Sequence, residues 1–238
     1  MERDQTLSID PVYNGPPDSA HGGVAAGRMA ELLDPLCASV RFRAPIPVGS
    51  TMTAVPGGDD TVELFENDRP IAIVRRLEGP LDGQRFDPLP STAVDAAEHA
   101  FHSEWDTRHP FPTCFGCGHH RTDGRGMALA PGPAPGHDVH AAWWRPRRDG
   151  AVPPWLVWAA LDCPSGFPAF VTLAPDRARV TGEFAVELLH PVPGDGTYQI
   201  LSHVTGGSGR KTTTSAALVD HTGTTLAVAT AIWIEIPR

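Results

Sequence analysis

Val40-Arg-Phe-Arg-Ala-Pro-Ile-Pro-Val-Gly-Ser-Thr51 is matched by Val186-Glu-Leu-Leu-His-Pro-Val-Pro-Gly-Asp-Gly-Thr197, with two prolines in the same places. A second match follows in each half: Asp68-Arg-Pro-Ile-Ala-Ile-Val74 lines up with Gly223-Thr-Thr-Leu-Ala-Val-Ala229. Two matches in the same order read as an internal duplication. The period is far longer than the roughly 20–50 residues of a solenoid repeat. Two copies are therefore expected to pair as a pseudo-dimer, with their sheets joined edge to edge, because an open sheet edge needs a partner.

Each copy reads as one helix followed by antiparallel strands. The helices are expected over 21–34, ended by Pro35, and over 153–162, ended by Pro164 and Gly166. Strand-like runs follow at 38–43, 50–55, 61–66 and 71–77, and again at 180–189, 198–204, 212–220 and 226–236. Several alternate apolar and polar residues, the period of a half-buried strand. Gly57-Gly-Asp-Asp60, Asn67-Asp68, Gly206-Gly-Ser-Gly209 and His221-Thr-Gly223 fall where hairpin turns belong. Between the copies, 91–101 opens on Ser91 at an N-cap position and reads as a linker helix. The expected organisation is a first repeat over 1–88, a linker over 89–109 and a second repeat over 110–238, with an α+β fold.

Composition narrows the function classes. The 238 residues carry a formal net charge of -9, which argues against a nucleic-acid surface. There is no apolar run long enough to span a membrane and no apolar leader segment, so a cytoplasmic protein is expected. Four cysteines in a chain of this length do not make a disulfide scaffold. The 24 glycines and 25 prolines are scattered, which suits many short elements and not long helical bundles.

Two further segments carry a family likeness. Cys114-Phe-Gly-Cys-Gly118, followed by Gly124-Arg-Gly-Met-Ala-Leu129, resembles the opening strand of small thioesterases of the phenylacetate-pathway type. Trp158-Ala-Ala-Leu-Asp-Cys-Pro-Ser-Gly166 is similar to their central helix, and Gly209-Arg-Lys211, Gly223, Ala227, Ala229 and Trp233 continue the pattern of their last strands. With His21-Gly22-Gly23 opening the first helix, the chain resembles the hotdog fold of acyl-CoA thioesterases. Over nearly its whole length it is similar to actinobacterial double-hotdog proteins. The resemblance implies a tandem hotdog, in which each central helix is wrapped by an antiparallel sheet.

It also implies where chemistry sits. In those thioesterases the His-Gly-Gly lies at the helix N-terminus, where unpaired amides and the helix dipole polarise a thioester carbonyl. A carboxylate from the partner helix, nine positions after that partner's own His, activates water or attacks directly. Counted on this chain, the first copy keeps His21, Gly22 and Gly23 but has Ala30 at the acid position. Glu31, the next residue, is turned about 100° around the helix. The second copy has Pro153, Pro154 and Trp155 in place of His-Gly-Gly but keeps Asp162. Each copy thus holds one half of the machinery, and one composite site is expected between them. The competing reading is independent decay, with Gly22-Gly23 a tight helix start and Asp162 a carboxylate near a helix C-terminus.

Around that core, His21 is expected to orient the loop or touch the thioester. Asn14, Trp155, Ser165, Arg210 and Lys211 are further substrate-binding candidates: Asn14 at the pocket mouth, Trp155 along the acyl tunnel, Ser165 as a polar helper, and the Arg210-Lys211 turn for coenzyme A phosphates. Each has a plain structural reading as turn, core or solvated surface. Cys114-x-x-Cys117 supplies two metal donors, but His119 and His120 are adjacent and would point oppositely on an extended strand, so no metal is expected. Cys163 shows no paired base at a motif spacing and reads as a small buried apolar residue. No phosphate loop, zinc-protease helix or serine-hydrolase elbow is present.

The function expected is hydrolysis of an acyl thioester, acyl-CoA first, with no cofactor beyond the coenzyme A of the substrate. Two rivals stand beside it: an enzyme acting on a carrier-bound biosynthetic intermediate, with an acyl carrier protein as partner, and a non-catalytic acyl-binding protein. Hydratases of this fold pair Asp and His in a short Asp-x-x-x-x-His motif, which neither Asp162 nor Asp18 opens. Further self-association into a homo-oligomer is common in hotdog proteins.

Overall fold

The structure is a computed structural model that describes residues 5–58, 60–83, 85–105, 107–174 and 176–237. Among these residues the first half forms β1 (Gln5–Ser8), α1 (Gly22–Ala30), β2 (Cys37–Phe42), β3 (Thr51–Gly58), β4 (Thr61–Glu66) and β5 (Arg69–Arg76). A connecting helix α2 (Ser91–Trp105) leads to β6 (Gly132–Pro133), β7 (His140–Trp144), α3 (Pro154–Phe170), β8 (Arg177–Leu188), β9 (Tyr198–Ser208), β10 (Lys211–Val219) and β11 (Thr225–Pro237). All the strands belong to one antiparallel sheet in the order β1-β3-β4-β5-β2-β8-β11-β10-β9-β7-β6. This is the double hotdog. Each central helix, α1 or α3, lies against its own half of the sheet. No helix among the described residues is long and apolar enough to cross a membrane.

The halves join through β2 and β8. Val40 pairs with Phe184 and Ala38 with Val186. A two-fold axis that exchanges Val40 with Val186 must also exchange Ala38 with Phe184. The offset read from the sequence and the pairing register therefore agree. The join leaves neither central strand with an open edge, and Arg41 Nε donates to Glu183 Oε2 across it at 2.8 Å.

The two central helices touch directly because α1 is smooth where α3 crosses it. A Cβ added at Gly23 would lie 2.5 Å from Asp162 Cβ and 2.6 Å from the Trp158 carbonyl oxygen. One added at Gly27 would lie 2.6 Å from Trp155 Cα. Glycines four apart share a helix face, so the pair makes a groove for α3.

The strands fall close to the expected runs, but α1, expected to reach Asp34, ends at Ala30 and gives way to a turn. Asn67 takes a positive φ of 53° in the β4–β5 turn, as a tight hairpin requires. The Gly57–Asp60 turn starts later than expected, since β3 runs through Gly58; Asp59 lies outside the described residues. Three further expectations need correction. Residues 114–118 form a tight turn and not a strand. The linker helix continues four residues beyond Phe101, where Phe101 and Trp105 pack on Phe167 of α3.

The third correction matters most. The helix expected to end near Pro164 runs to Phe170, through Pro164 and Pro168. Proline removes a helix hydrogen bond and frees a carbonyl four residues back. Here the Pro164 carbonyl, freed by Pro168, accepts from Ser202 Oγ at 2.7 Å. Ser165 Oγ donates to the Asp162 carbonyl, also at 2.7 Å. With the Ser202 bond as a substitute and burial from Val157 to Phe170, the helix persists. Asp162 therefore sits in mid-helix. The unfavourable dipole expected at a helix C-terminus does not apply.

Candidate active site

Asp162 is 2% exposed and faces the start of α1. The Gly23 amide donates to its Oδ2 at 2.8 Å. Thr181 Oγ1, on β8, donates to its Oδ1 at 2.8 Å. His21 Nε2 lies 3.5 Å from Oδ2. A carboxylate at a helix N-terminus is favoured by the dipole and the orphan amides, so α1 stabilises the acid that α3 supplies. Burial nevertheless raises the Asp162 pKa, against the lowering effects of His21, Thr181 and Gly23.

His21 is the N-cap of α1. Its Nδ1 accepts from the Val24 amide at 3.3 Å. In the neutral ring the proton consequently sits on Nε2, which points at Asp162 and at Cys163 Sγ, 3.1 Å away. Burial pushes the His21 pKa down, but the Cys114 and Asp162 charges push it further up, so the net shift is upward.

Behind His21 lie three thiols from two distant segments. Cys163 Sγ is 3.2 Å from Cys117 Sγ and 3.7 Å from Cys114 Sγ, and all three residues are buried. S–H donation from Cys117 and Cys163 holds the Cys114 thiol well below its usual pKa, against burial and with help from His21. Burial pushes Cys117 up, and donation to Cys114 pushes Cys163 up.

A cavity of about 520 Å³ opens at this point between the repeats. Gly22, Asp162 and Cys163 reach its wall, with Phe42 and Ile46 from the first repeat and Phe111, Phe167, Phe170 and Trp233 from the second. A small polar end on a largely apolar chamber suits a ligand with one reactive polar group and an apolar tail. Gly23 does not line the cavity; it packs against α3 and its amide holds Asp162. Gly22 does line it, and among the described residues its amide has no partner. The two glycines expected to act together are thus placed differently.

The remaining candidates are placed as follows. Asn14 Oδ1 accepts from Arg121 Nη1 at 2.8 Å, and its side chain ties the loop ahead of His21 to the second repeat. Ser165 is fully buried, bonded to the Asp162 carbonyl and to Trp233 Nε1. Trp155 stands edge-on to Tyr13 with ring centres 5.6 Å apart. None of the three lines the cavity. Arg210 and Lys211 lie at the exposed β9–β10 turn; Lys211 is in register with Ile234, which does line it. The sequence reading missed Thr181. Its signal was Gly182, because a glycine inside a strand marks a bulge, and the β8–β11 register does shift there.

No protein-family model matches the sequence, and no curated protein matches it. Solved structures do. An acyl-CoA thioesterase II, TesB2, from Mycobacterium marinum aligns with a TM-score of 0.61 at 12% identity, over 98% of this chain and 93% of that one. A hot dog fold protein of unknown function from Alicyclobacillus acidocaldarius gives 0.61 at 16% identity, over 100% and 95%. The dehydratase domain of PpsC from Mycobacterium tuberculosis, solved in complex with C12:1-CoA, gives 0.59 at 15% identity, over 97% and 92%. At these identities the likeness establishes the fold, which spans both repeats.

Proposed function

We propose that this protein hydrolyses an acyl thioester, acyl-CoA in the first instance, at a single site built from both repeats. The observation that carries the reading is Asp162 held 2.8 Å from the Gly23 amide at the wall of an apolar cavity, beside the unclaimed Gly22 amide. The acyl group occupies the chamber and its carbonyl oxygen meets the Gly22 N–H at the positive end of α1. Asp162 takes a proton from water as that water attacks the carbonyl carbon. The C–S bond breaks, the thiol leaves with a proton, and a carboxylic acid remains. Both Asp162 oxygens hold hydrogen bonds that fix the carboxylate, which suits a general base better than a nucleophile that must swing into the carbonyl. His21 orients the loop through its cap on α1. The reaction needs no cofactor beyond the coenzyme A or carrier arm of the substrate. The test is release of free thiol from a panel of acyl-CoAs and acyl-pantetheines. Binding without thiol release by the well-folded protein would leave an acyl-binding protein instead.

One observation favours a second reading. His21 and Asp162 come from different repeats yet approach to 3.5 Å, so the pair absent as a sequence motif exists in space. Such a pair could add or remove water across an enoyl or 3-hydroxyacyl thioester, and a dehydratase domain shares the fold. Interconversion of those thioesters without thiol release would select it.

A further inference from the structure

The geometry points to a metal site: Cys114, Cys117 and Cys163, with His21 Nε2, bind one zinc-class divalent ion in the cavity wall. The inference stands on the thiol cluster alone and goes beyond the hydrolase reading. The donor atoms of His21, Cys114 and Cys163 all lie within 4.8 Å of one another; Cys117 Sγ lies outside that set of three and is brought to it by its 3.2 Å approach to Cys163 Sγ. A tetrahedral zinc with bonds of about 2.3 Å to sulfur and 2.0 Å to nitrogen separates its donors by roughly 3.5–3.8 Å. The Cys114–Cys163 distance of 3.7 Å falls in that range. The Cys117–Cys163 and His21–Cys163 distances, 3.2 and 3.1 Å, are about half an ångström short, so these donors spread on binding.

The chain around the cluster is shaped to close on it. A Cβ at Gly116 would lie 2.5 Å from His21 Nε2 and 2.6 Å from Cys163 Sγ. One at Gly118 would lie 2.4 Å from the Cys114 amide nitrogen, where the turn closes through Gly118 N–H to the Cys114 carbonyl at 2.9 Å. Both glycines of Cys-Phe-Gly-Cys-Gly are therefore required for this turn to wrap the sulfurs. A lone buried thiol is ordinary core; three clustered beside an imidazole are a soft donor set.

Binding releases the thiol protons, since the thiolate is the ligand. It also moves the remaining His21 proton to Nδ1, which ends acceptance from Val24. The buried Val24 amide then faces a second donor, a cost that the metal–ligand bonds must exceed. Three thiolates and a neutral imidazole around a divalent ion carry one net negative charge, which the N-terminus of α1 favours. With four protein ligands the site is closed and structural. It fastens the start of α1, the 114–118 turn and the middle of α3 beside Asp162. It also draws His21 Nε2 away from Asp162, which favours hydrolysis over the His–Asp reading.

The test is metal content and a cobalt spectrum, neither of which depends on turnover. The full chain, purified with reductant and zinc, is expected to hold about one zinc per chain by elemental analysis. Replacement with Co(II) is expected to give thiolate-to-cobalt charge transfer and the strong visible bands of a tetrahedral site. Cys114→Ser and Cys163→Ser should each lower occupancy at least tenfold, while Asp162→Asn keeps it. The cobalt titration needs no variant, so a misfolded mutant does not blunt the test. Less than a tenth of a zinc per chain with freely titrating thiols, or a cobalt complex without charge transfer, overturns the proposal. So does a Cys117–Cys163 disulfide that persists in reductant.

Discussion

The two central helices begin in opposite ways. At the start of α1, His21 caps the helix through its ring, Gly23 donates to Asp162, and Gly22 lines a cavity. At the start of α3, Pro153 makes no side-chain cap and Pro154 follows it, so neither equivalent of His21 and Gly22 has an N–H to offer. The opposing acid differs as well: Asp162 faces the amides, whereas its counterpart Ala30 is fully buried and apolar. Glu31, beside it, pairs on the surface with Arg28 at 3.1 Å. The offset that aligns Val40 with Val186 puts Pro35 opposite Thr181, so the hydroxyl that steadies Asp162 is missing too. Donor, acid and hydroxyl are absent together from one end and present together at the other. An end without the Gly22-type amide has no use for a carboxylate, which is costly to bury.

The comparison breaks first at Asp162. Asp162→Asn keeps an oxygen for the Gly23 amide and changes little in volume. Thiol release should fall by about 10²–10⁴-fold, the usual worth of a general base, with the melting temperature nearly unchanged. A mutant as active as the parent removes Asp162 from the mechanism and with it the contrast between the two ends.

The opposite substitution tests the vacated end. Ala30→Asp places a buried carboxylate where Trp155, the counterpart of Gly23, keeps an N–H but Pro153 gives no imidazole and Pro35 no hydroxyl. It should lower stability by about 3 kcal/mol in denaturant melts and create no second activity. A variant of unchanged stability would mean that the end of α1 near α3's start admits water.

Thr181→Val is a smaller cut. It removes one of the two bonds that fix Asp162 while preserving shape. The expected result is about a tenfold loss in kcat, worth roughly 1.4 kcal/mol, with KM little changed. A change in KM alone would make Thr181 a substrate contact.

The duplication and the strands were legible because period-two patterning and paired prolines are local signals that burial enforces. The length of α3 was not. Pro164 and Pro168 are stop signals in sequence, and the serine that offsets one of them, Ser202, lies on β9, remote in the chain. The complementarity of His21–Gly23 and Asp162 was readable as a count along two aligned helices. What that count could not resolve was the division of labour between two adjacent amides, which depends on how deeply α3 sinks against Gly23 and Gly27. The thiol cluster was hidden for the same reason as Thr181. Cys163 and His21 join Cys114 and Cys117 only after the repeats fold on one another. No spacing along the chain announces a site whose donors lie in three separate segments.

Trp155 gives the weakest and most discriminating effect. It lies at the vacated end, against Tyr13 and over Gly27, and does not line the cavity. Trp155→Phe should leave kcat and KM within about twofold of the parent and cost about 1 kcal/mol of stability from lost packing. If KM instead rose severalfold for long acyl chains only, Trp155 would belong to an acyl tunnel. The vacated end would then have been reused as the floor of the surviving site, and the asymmetry between the two helix starts would be one of role, not of loss.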